Sequence, residues 1–115
     1  MGLLGTDIQQ ISRLEKAMAG ASRFAQKVFT PDERAYCQGQ LRPAQHYAAR
    51  FCAKEAFAKA LGVPLSWQDV EVIKNGAGQP ALQFSGKAKA LLGPRKVTVS
   101  ISHSGDYAVA TVLIE

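Results

Sequence analysis

The stretch from Pro43 to Gly62 constrains this chain more than any other, because it fixes one long helix and sets charges among its apolar residues. Pro43 stands where a first helical residue tolerates a missing N–H, and Gly62 follows the last periodic position, so the predicted helix runs from Pro43 to Leu61. Within it lies Arg50-Phe51-Cys52-Ala53-Lys54-Glu55-Ala56-Phe57-Ala58-Lys59, one carboxylate and three cations crowded by Ala and Phe. At about 100° per residue, Phe51, Glu55 and Lys59 share nearly one line of the helix, with Ala48 and Cys52 alongside. A carboxylate on such a face needs a partner, since an unpaired charge in low dielectric is costly. The simplest partner is Lys59 four residues on, an exposed pair worth a few tenths of a kcal/mol by itself. The alternative is a functional site.

Two distant segments bear on that choice. Gly2-Leu3-Leu4-Gly5-Thr6-Asp7-Ile8 reads as a short apolar strand ending in a carboxylate at a turn, followed by the helical pattern Ile8, Ile11, Leu14, Glu15, Met18. Asp7 is then either an N-cap of that helix or part of a site. Val97 to Tyr107 reads as an alternating strand running into a polar turn, with His103 an ordinary turn residue or a second site component.

The rest of the chain falls into recognisable pieces. Gly20-Ala21-Ser22 interrupts the first helical region, with Ser22 as candidate cap of a second short helix reaching Phe29. Thr30-Pro31-Asp32-Glu33 is a helix start: Thr30 at the N-cap, Pro31 at the first position, Glu33 completing a capping box, with an end near Gln38-Gly39. Val70 and Val72 begin a strand, Asn75-Gly76-Ala77-Gly78 turns it, and Ala81 to Phe84 returns, Pro80 suiting the entry of an edge strand. Gly86 to Leu92 carries helix formers before the stop at Gly93-Pro94. Lys96 to Ser102 and Tyr107 to Ile114 make a hairpin through Ser-Gly-Asp. Helices first and an antiparallel meander later predict an α+β fold, one long helix packed on a small antiparallel sheet, in a single domain over 1–115.

Six short motifs in order resemble the holo-acyl-carrier-protein synthases, the small single-domain members of the 4'-phosphopantetheinyl transferases. They are Gly5-Thr6-Asp7-Ile8, Phe29-Thr30-Pro31-Asp32-Glu33, Arg50-Phe51, Ala53-Lys54-Glu55-Ala56 with Lys59-Ala60, Gly78-Gln79-Pro80, and Ser100-Ile101-Ser102-His103. The resemblance implies transfer of 4'-phosphopantetheine from coenzyme A to a serine hydroxyl of an acyl carrier protein, releasing 3',5'-ADP. It implies magnesium held by Asp7 and Glu55, phosphate contacts from Lys59 and His103, and a further phosphate or adenine-side contact from Arg50. Ser102 adds a hydroxyl and Pro80 borders the adenine. It also implies a homotrimer with active sites at subunit junctions. One departure stands out: where the family continues after the long helix with Gly-Thr-Gly, this chain has Gly62-Val63-Pro64-Leu65-Ser66-Trp67, so Gly62 alone carries over as a coenzyme contact.

Composition narrows the partner. Fourteen Lys and Arg against nine Asp and Glu give a net charge of +5, which favours an acidic partner. Arg13, Lys16, Arg23 and Lys27 would form a cationic stripe if the two helical pieces were one continuous helix. The resemblance makes that region the seat of an acidic acyl carrier protein, with Arg13, Arg23 and the apolar neighbour Phe24 as contacts. A noncatalytic module binding an acidic partner through the same residues is the alternative. Nucleic acid is not expected, because one Trp, three Tyr and five Phe do not interleave with the basic residues as stacking platforms. Nor is a membrane: no run approaches the roughly 20 apolar residues of a span, and no signal peptide is evident. A cytoplasmic protein is expected, with Cys37 and Cys52 as reduced structural thiols lacking metal-ligand spacing.

Overall fold

Residues 2–20 and 23–115 are described by the computed structural model of the chain. Strand β1 (Leu3–Gln10) leads into helices α1 (Ile11–Gly20), α2 (Phe24–Val28), α3 (Pro31–Gln38) and the long α4 (Pro43–Leu61). A 3-10 turn (Trp67–Asp69), the hairpin β2 (Val70–Lys74) and β3 (Pro80–Phe84), helix α5 (Gly86–Leu92) and the hairpin β4 (Val97–Ser104) and β5 (Tyr107–Ile114) complete the chain. The α+β expectation holds, and the bounds predicted for the long helix hold to the residue.

The strands do not form one meander. The main sheet has the order β1-β5-β4, all antiparallel, while β2 and β3 make a separate two-stranded sheet. β1 pairs along its whole length with β5, from Leu3 opposite Ile114 to Gln10 opposite Tyr107. That pairing carries β1 past the expected turn, so Asp7 sits in mid-strand opposite Ala110 and Ile8 is not helical. The N-cap role for Asp7 is therefore wrong. Asp106, from the β4–β5 turn, caps α1 instead, accepting from the Ser12 N–H at 3.0 Å and the Ser12 hydroxyl at 2.6 Å.

Helix α3 starts as its sequence dictates. The Thr30 hydroxyl accepts from the Glu33 N–H at 3.2 Å, and the Glu33 carboxylate accepts from the Thr30 N–H at 2.9 Å. Ser22 lies outside the described residues; Arg23 precedes α2 as its N-cap residue without a side-chain cap bond. α1 and α2 are separate helices, so Arg13, Lys16, Arg23 and Lys27, all exposed, do not form the stripe of one continuous helix.

The core lies between α4 and the inner face of the main sheet, with Cys52, Ala56 and Ala60 of the helix and Ala108, Ala110, Val112 and Ile114 of β5 in one buried cluster, and Phe57 packs on Phe84 of β3 with ring centroids 4.7 Å apart. Inner positions of β1 are Gly5, Asp7 and the half-buried Gln9; its apolar Leu4 and Ile8 point outward. Gly5 lets the helix come close: a Cβ there would stand 2.0 Å from the Ala56 carbonyl oxygen and 2.7 Å from the Ala60 nitrogen. α4 ends at Gly62, whose φ of 81° is the left-handed conformation that glycine adopts without a Cβ clash. Among the described residues no helix is long and apolar enough to cross a membrane.

Candidate active site

α4 crosses the sheet diagonally, and this crossing decides which side chains meet. The Gln45 side chain lies 3.2 Å from His103 Nε2 on β4, Cys52 Sγ lies 3.2 Å from the Ala108 carbonyl of β5, and Lys59 reaches β1. At 3.6 residues per turn, Glu55 and Lys59 point roughly opposite to His46 and Arg50. The helix therefore serves two separate surfaces.

On the β1 side, Lys59 Nζ donates to the Thr6 carbonyl and to Asp7 Oδ1, each at 3.0 Å. Asp7 Oδ2 accepts from Gln9 Nε2 at 2.9 Å. Asp7 is nine-tenths buried, whereas the Lys59 side chain is 54% exposed, so the pair stands at the rim of the core. Glu55 shares this neighbourhood: burial raises its proton affinity, the negative charge of Asp7 raises it further, and Lys59 partly offsets both. The expected Glu55–Lys59 pair does not form; Lys59 bonds Asp7 instead. Beneath them, burial and then Asp7 push the Cys52 thiol up to about 12, so it is no nucleophile. Burial likewise pushes Cys37 up to about 11, and both cysteines are free, as expected.

Two carboxylates on one rim, with the charge of Asp7 raising the cost of ionising Glu55, are hard oxygen donors of the kind magnesium accepts, with open positions left for water and substrate oxygens. Asp7 and Glu55 fit that ion. No third His, Cys, Asp or Glu joins them in a metal-sized cluster among the described residues.

On the other side of α4, Arg50, His103 and Pro80 line a cleft of about 290 Å³ together with Tyr36, His46 and Lys74. His46 is held below its usual range by burial and then by the positive charges of Arg50, Lys74 and His103. Arg50 is 6% exposed and its Nε has no hydrogen-bond partner. His103 is a strand residue opposite Ala108, not a turn residue, on the outer strand about 10 Å, two strand spacings, from β1. A single chain thus brings Asp7, Glu55 and Lys59 together, brings Arg50, Pro80 and His103 together, and does not join the groups. Ser102 is exposed, its position alternating with His103 onto the other face of β4.

Gly62 terminates α4, and the exposed Pro64 follows in the loop that replaces the Gly-rich run. Arg13 and Arg23 are exposed, but Phe24 is half-buried, its ring 5.9 Å from Phe51, which stacks on Trp67 at 5.2 Å. Sequence reasoning missed what Lys54 does. It is fully buried and bonds Glu33 at 2.6 Å, the Val28 carbonyl at 2.7 Å and the Trp67 carbonyl at 3.0 Å. Glu33 also accepts from the Val72 N–H at 2.8 Å, so this ion pair ties α3, α4 and β2. The Glu33 capping box was the available signal, since a carboxylate fixed there faces inward.

Comparison with known proteins identifies the family and the fold. A sequence model of the 4'-phosphopantetheinyl transferase superfamily matches residues 3–112. The holo-[acyl-carrier-protein] synthases of Geobacter sulfurreducens and Moorella thermoacetica are each 45% identical over 96% of this chain, which spans 94% and 91% of their lengths. Among solved structures, the Chronobacterium ammoniagenes ACPS-CoA complex is 32% identical with a TM-score of 0.89, over 99% of this chain and 96% of that one. The holo-(acyl-carrier-protein) synthase of Bacillus anthracis in complex with CoA (3',5'-ADP) is 34% identical with a TM-score of 0.81, over 97% and 94%. With a matching superfamily model over nearly the whole chain and relatives of this identity and coverage, the chain belongs to the 4'-phosphopantetheinyl transferase superfamily, within its holo-[acyl-carrier-protein] synthase family.

Proposed function

We propose that this chain moves 4'-phosphopantetheine from coenzyme A to a serine hydroxyl of an acidic acyl carrier protein, with Asp7, Glu55 and Lys59 as the reacting centre. In that transfer the serine hydroxyl releases its proton to solvent, its oxygen forms a bond to the β-phosphorus of coenzyme A, the pyrophosphate P–O bond breaks, and 3',5'-ADP leaves with the electron pair. The convergence of Asp7, Glu55 and Lys59 on one rim of α4 carries the reading. Charge is the obstacle to the reaction, because the pyrophosphate repels the nucleophile and the leaving phosphate becomes more negative.

Asp7 and Glu55 would hold magnesium, which when bound supplies positive charge to the pyrophosphate oxygens. Lys59 has three N–H donors; Thr6 and Asp7 take two, leaving one to turn toward a phosphate oxygen from its exposed position. Gln9 and Lys59 fix the Asp7 carboxylate so that it does not reorient as charge develops. Arg50 and His103 bind coenzyme phosphate, Pro80 lies beside the adenine, and Ser102 and Gly62 are further contacts from the flanking strand and loop. Arg13, Arg23 and Phe24 receive the acidic carrier protein.

The separation of the two groups across α4 supports a site completed by a second copy, in a homotrimer. So does the outer sheet face, where Leu4, Ile8, Tyr107 and Leu113 are exposed, and the free edges of β1 and β4. Intact-mass spectrometry tests the whole reading. An apo acyl carrier protein incubated with this chain, coenzyme A and magnesium gains one phosphopantetheine, and loses that gain with a chelator or with Glu55→Gln. A folded chain that adds no mass to any of several carrier proteins refutes it.

A further inference from the structure

The cleft on the Arg50 side of α4 gathers more positive charge than Arg50 and His103 supply. The Arg50 guanidinium carbon lies 4.3 Å from the centre of the Tyr36 ring, and Lys74 Nζ lies 4.9 Å from the same centre. His46 meets that ring edge-on with centroids 5.7 Å apart. One phenol on α3 thus seats two cations, one from α4 and one from β2.

Neither cation is neutralised. Among the described residues Arg50 and Lys74 form no ion pair. Arg50 makes one long hydrogen bond, Nη1 to the His46 carbonyl at 3.4 Å, and its buried Nε makes none. Carboxylates do stand close by, since Asp32, Glu33 and Glu71 line a second hollow that Tyr36, Arg50 and Lys74 also line, although none of the three pairs with either cation. Glu33 is saturated by Lys54, Thr30 and Val72, and Glu71 accepts from the Thr30 hydroxyl. The contrast with Lys54 is informative: the fold gives that cation three acceptors four residues away and leaves Arg50 and Lys74 facing a cleft. An aromatic face attracts cations without cancelling their charge, so both remain available to an anion.

We infer that Tyr36 is a positioning residue that holds Arg50 and Lys74 as a paired clamp for a phosphate monoester, and that Lys74 binds the coenzyme substrate through it. The inference rests on the transferase reading above. Coenzyme A carries one such group, the 3'-phosphate on its ribose, beside a pyrophosphate diester. A dianionic monoester matches two cations, the planar guanidinium fixing its orientation and the ammonium adding a mobile point charge. Tyr36 contributes the ring face rather than the hydroxyl.

Coenzyme A and dephospho-coenzyme A differ by that monoester alone, which makes them the probes. Calorimetric binding to the full chain in chelator separates recognition from turnover. Wild type is expected to bind coenzyme A about tenfold or more tightly than dephospho-coenzyme A, the size of a charge-assisted contact. Lys74→Met brings the ratio toward one by weakening coenzyme A binding alone, and in turnover raises KM for coenzyme A while kcat is kept. Tyr36→Leu does the same, and Tyr36→Phe restores the wild-type ratio. Lys74 is exposed, so its variant tests the clamp even if Tyr36→Leu unfolds. Equal discrimination by wild type and Lys74→Met overturns the clamp, as does a wild type that binds both compounds equally well. A wild type that binds neither compound, in chelator or with magnesium restored, removes the transferase reading and the clamp with it.

Discussion

Replacing Gly5 with Ala should damage both stability and activity, because the site is assembled by a close approach of helix to strand. The added Cβ would meet the Ala56 carbonyl oxygen at 2.0 Å and the Ala60 nitrogen at 2.7 Å, where ordinary contact begins at 3.4 Å. Both are backbone atoms, so no rotamer change relieves the clash and α4 must recede by roughly 1.4 Å, the gap to ordinary contact. Overpacking of this kind costs about 1–3 kcal/mol, and here the upper end is expected because the obstacle is main chain. At about 4 °C per kcal/mol, the melting temperature falls by roughly 12 °C. The same recession stretches the 3.0 Å bonds from Lys59 to Thr6 and Asp7 and parts Glu55 from Asp7, so transfer should fall about a hundredfold or more at temperatures where the variant is folded. Thermal unfolding by circular dichroism, at matched protein concentration, and mass-detected transfer supply the two readouts. Gly39→Ala is the control, since that glycine has ordinary helical φ and its nearest atoms at 3.6 Å. A Gly5→Ala variant within about 0.5 kcal/mol of wild type, the range of neutral surface changes, would refute the close approach.

Further expectations follow from other contacts. Lys54→Met leaves the Glu33 carboxylate buried without its counter-charge and should cost about 3–5 kcal/mol in urea unfolding; a loss below about 1 kcal/mol would mean the pair is not buried in solution. Lys59→Met should change stability by less than about 1 kcal/mol, since its side chain is half exposed, yet lower kcat/KM about a hundredfold, measured by steady-state transfer. His46 is held below its ordinary 6.5 in the fold, so the unfolded chain binds the extra proton first. Its contribution to stability is therefore present above pH 6.5 and declines as pH falls through the folded value, and His46→Gln should flatten that part of a stability profile. Cys37 and Cys52, raised to about 11 and 12, should resist an aromatic disulfide reagent at pH 8 until denaturant is added.

The parts of the fold readable in sequence are those set by local chemistry. Pro43 and Gly62 bracket α4, and Thr30 with Glu33 starts α3, because caps act over three or four residues. The turn expected at Asp7 is absent because β1 shows its apolar side chains, Leu4 and Ile8, on the outer face and keeps Gly5 and Asp7 inside. The strand's extent is set by pairing with β5, over a hundred residues away, as in the bond from Thr6 to the Ala110 carbonyl. The choice of Asp7 over Glu55 as partner of Lys59 depends on where that strand lies under the helix. Likewise, periodicity put Lys54 on a helix but could not say that Glu33 and two carbonyls would enclose it. Family resemblance named the residues of the proposed centre; Tyr36 and Lys74 carry no motif signal, and their pairing with Arg50 became visible only through a shared ring.

The middle strand of the main sheet, β5, is also the last to be synthesised. Until it arrives, β1 and β4 have nothing to pair with, and the Ala and Phe face of α4 has no floor. A growing chain can close the capping box of α3 early, yet it cannot assemble the rim of Asp7, Glu55 and Lys59 piece by piece, because Asp7 waits on a strand made about a hundred residues later. Folding should then be a late, concerted event with a long interval of exposed apolar helix, and a ribosome stalled before residue 107 should hold a chain that nascent-chain chaperones bind and proteases cut.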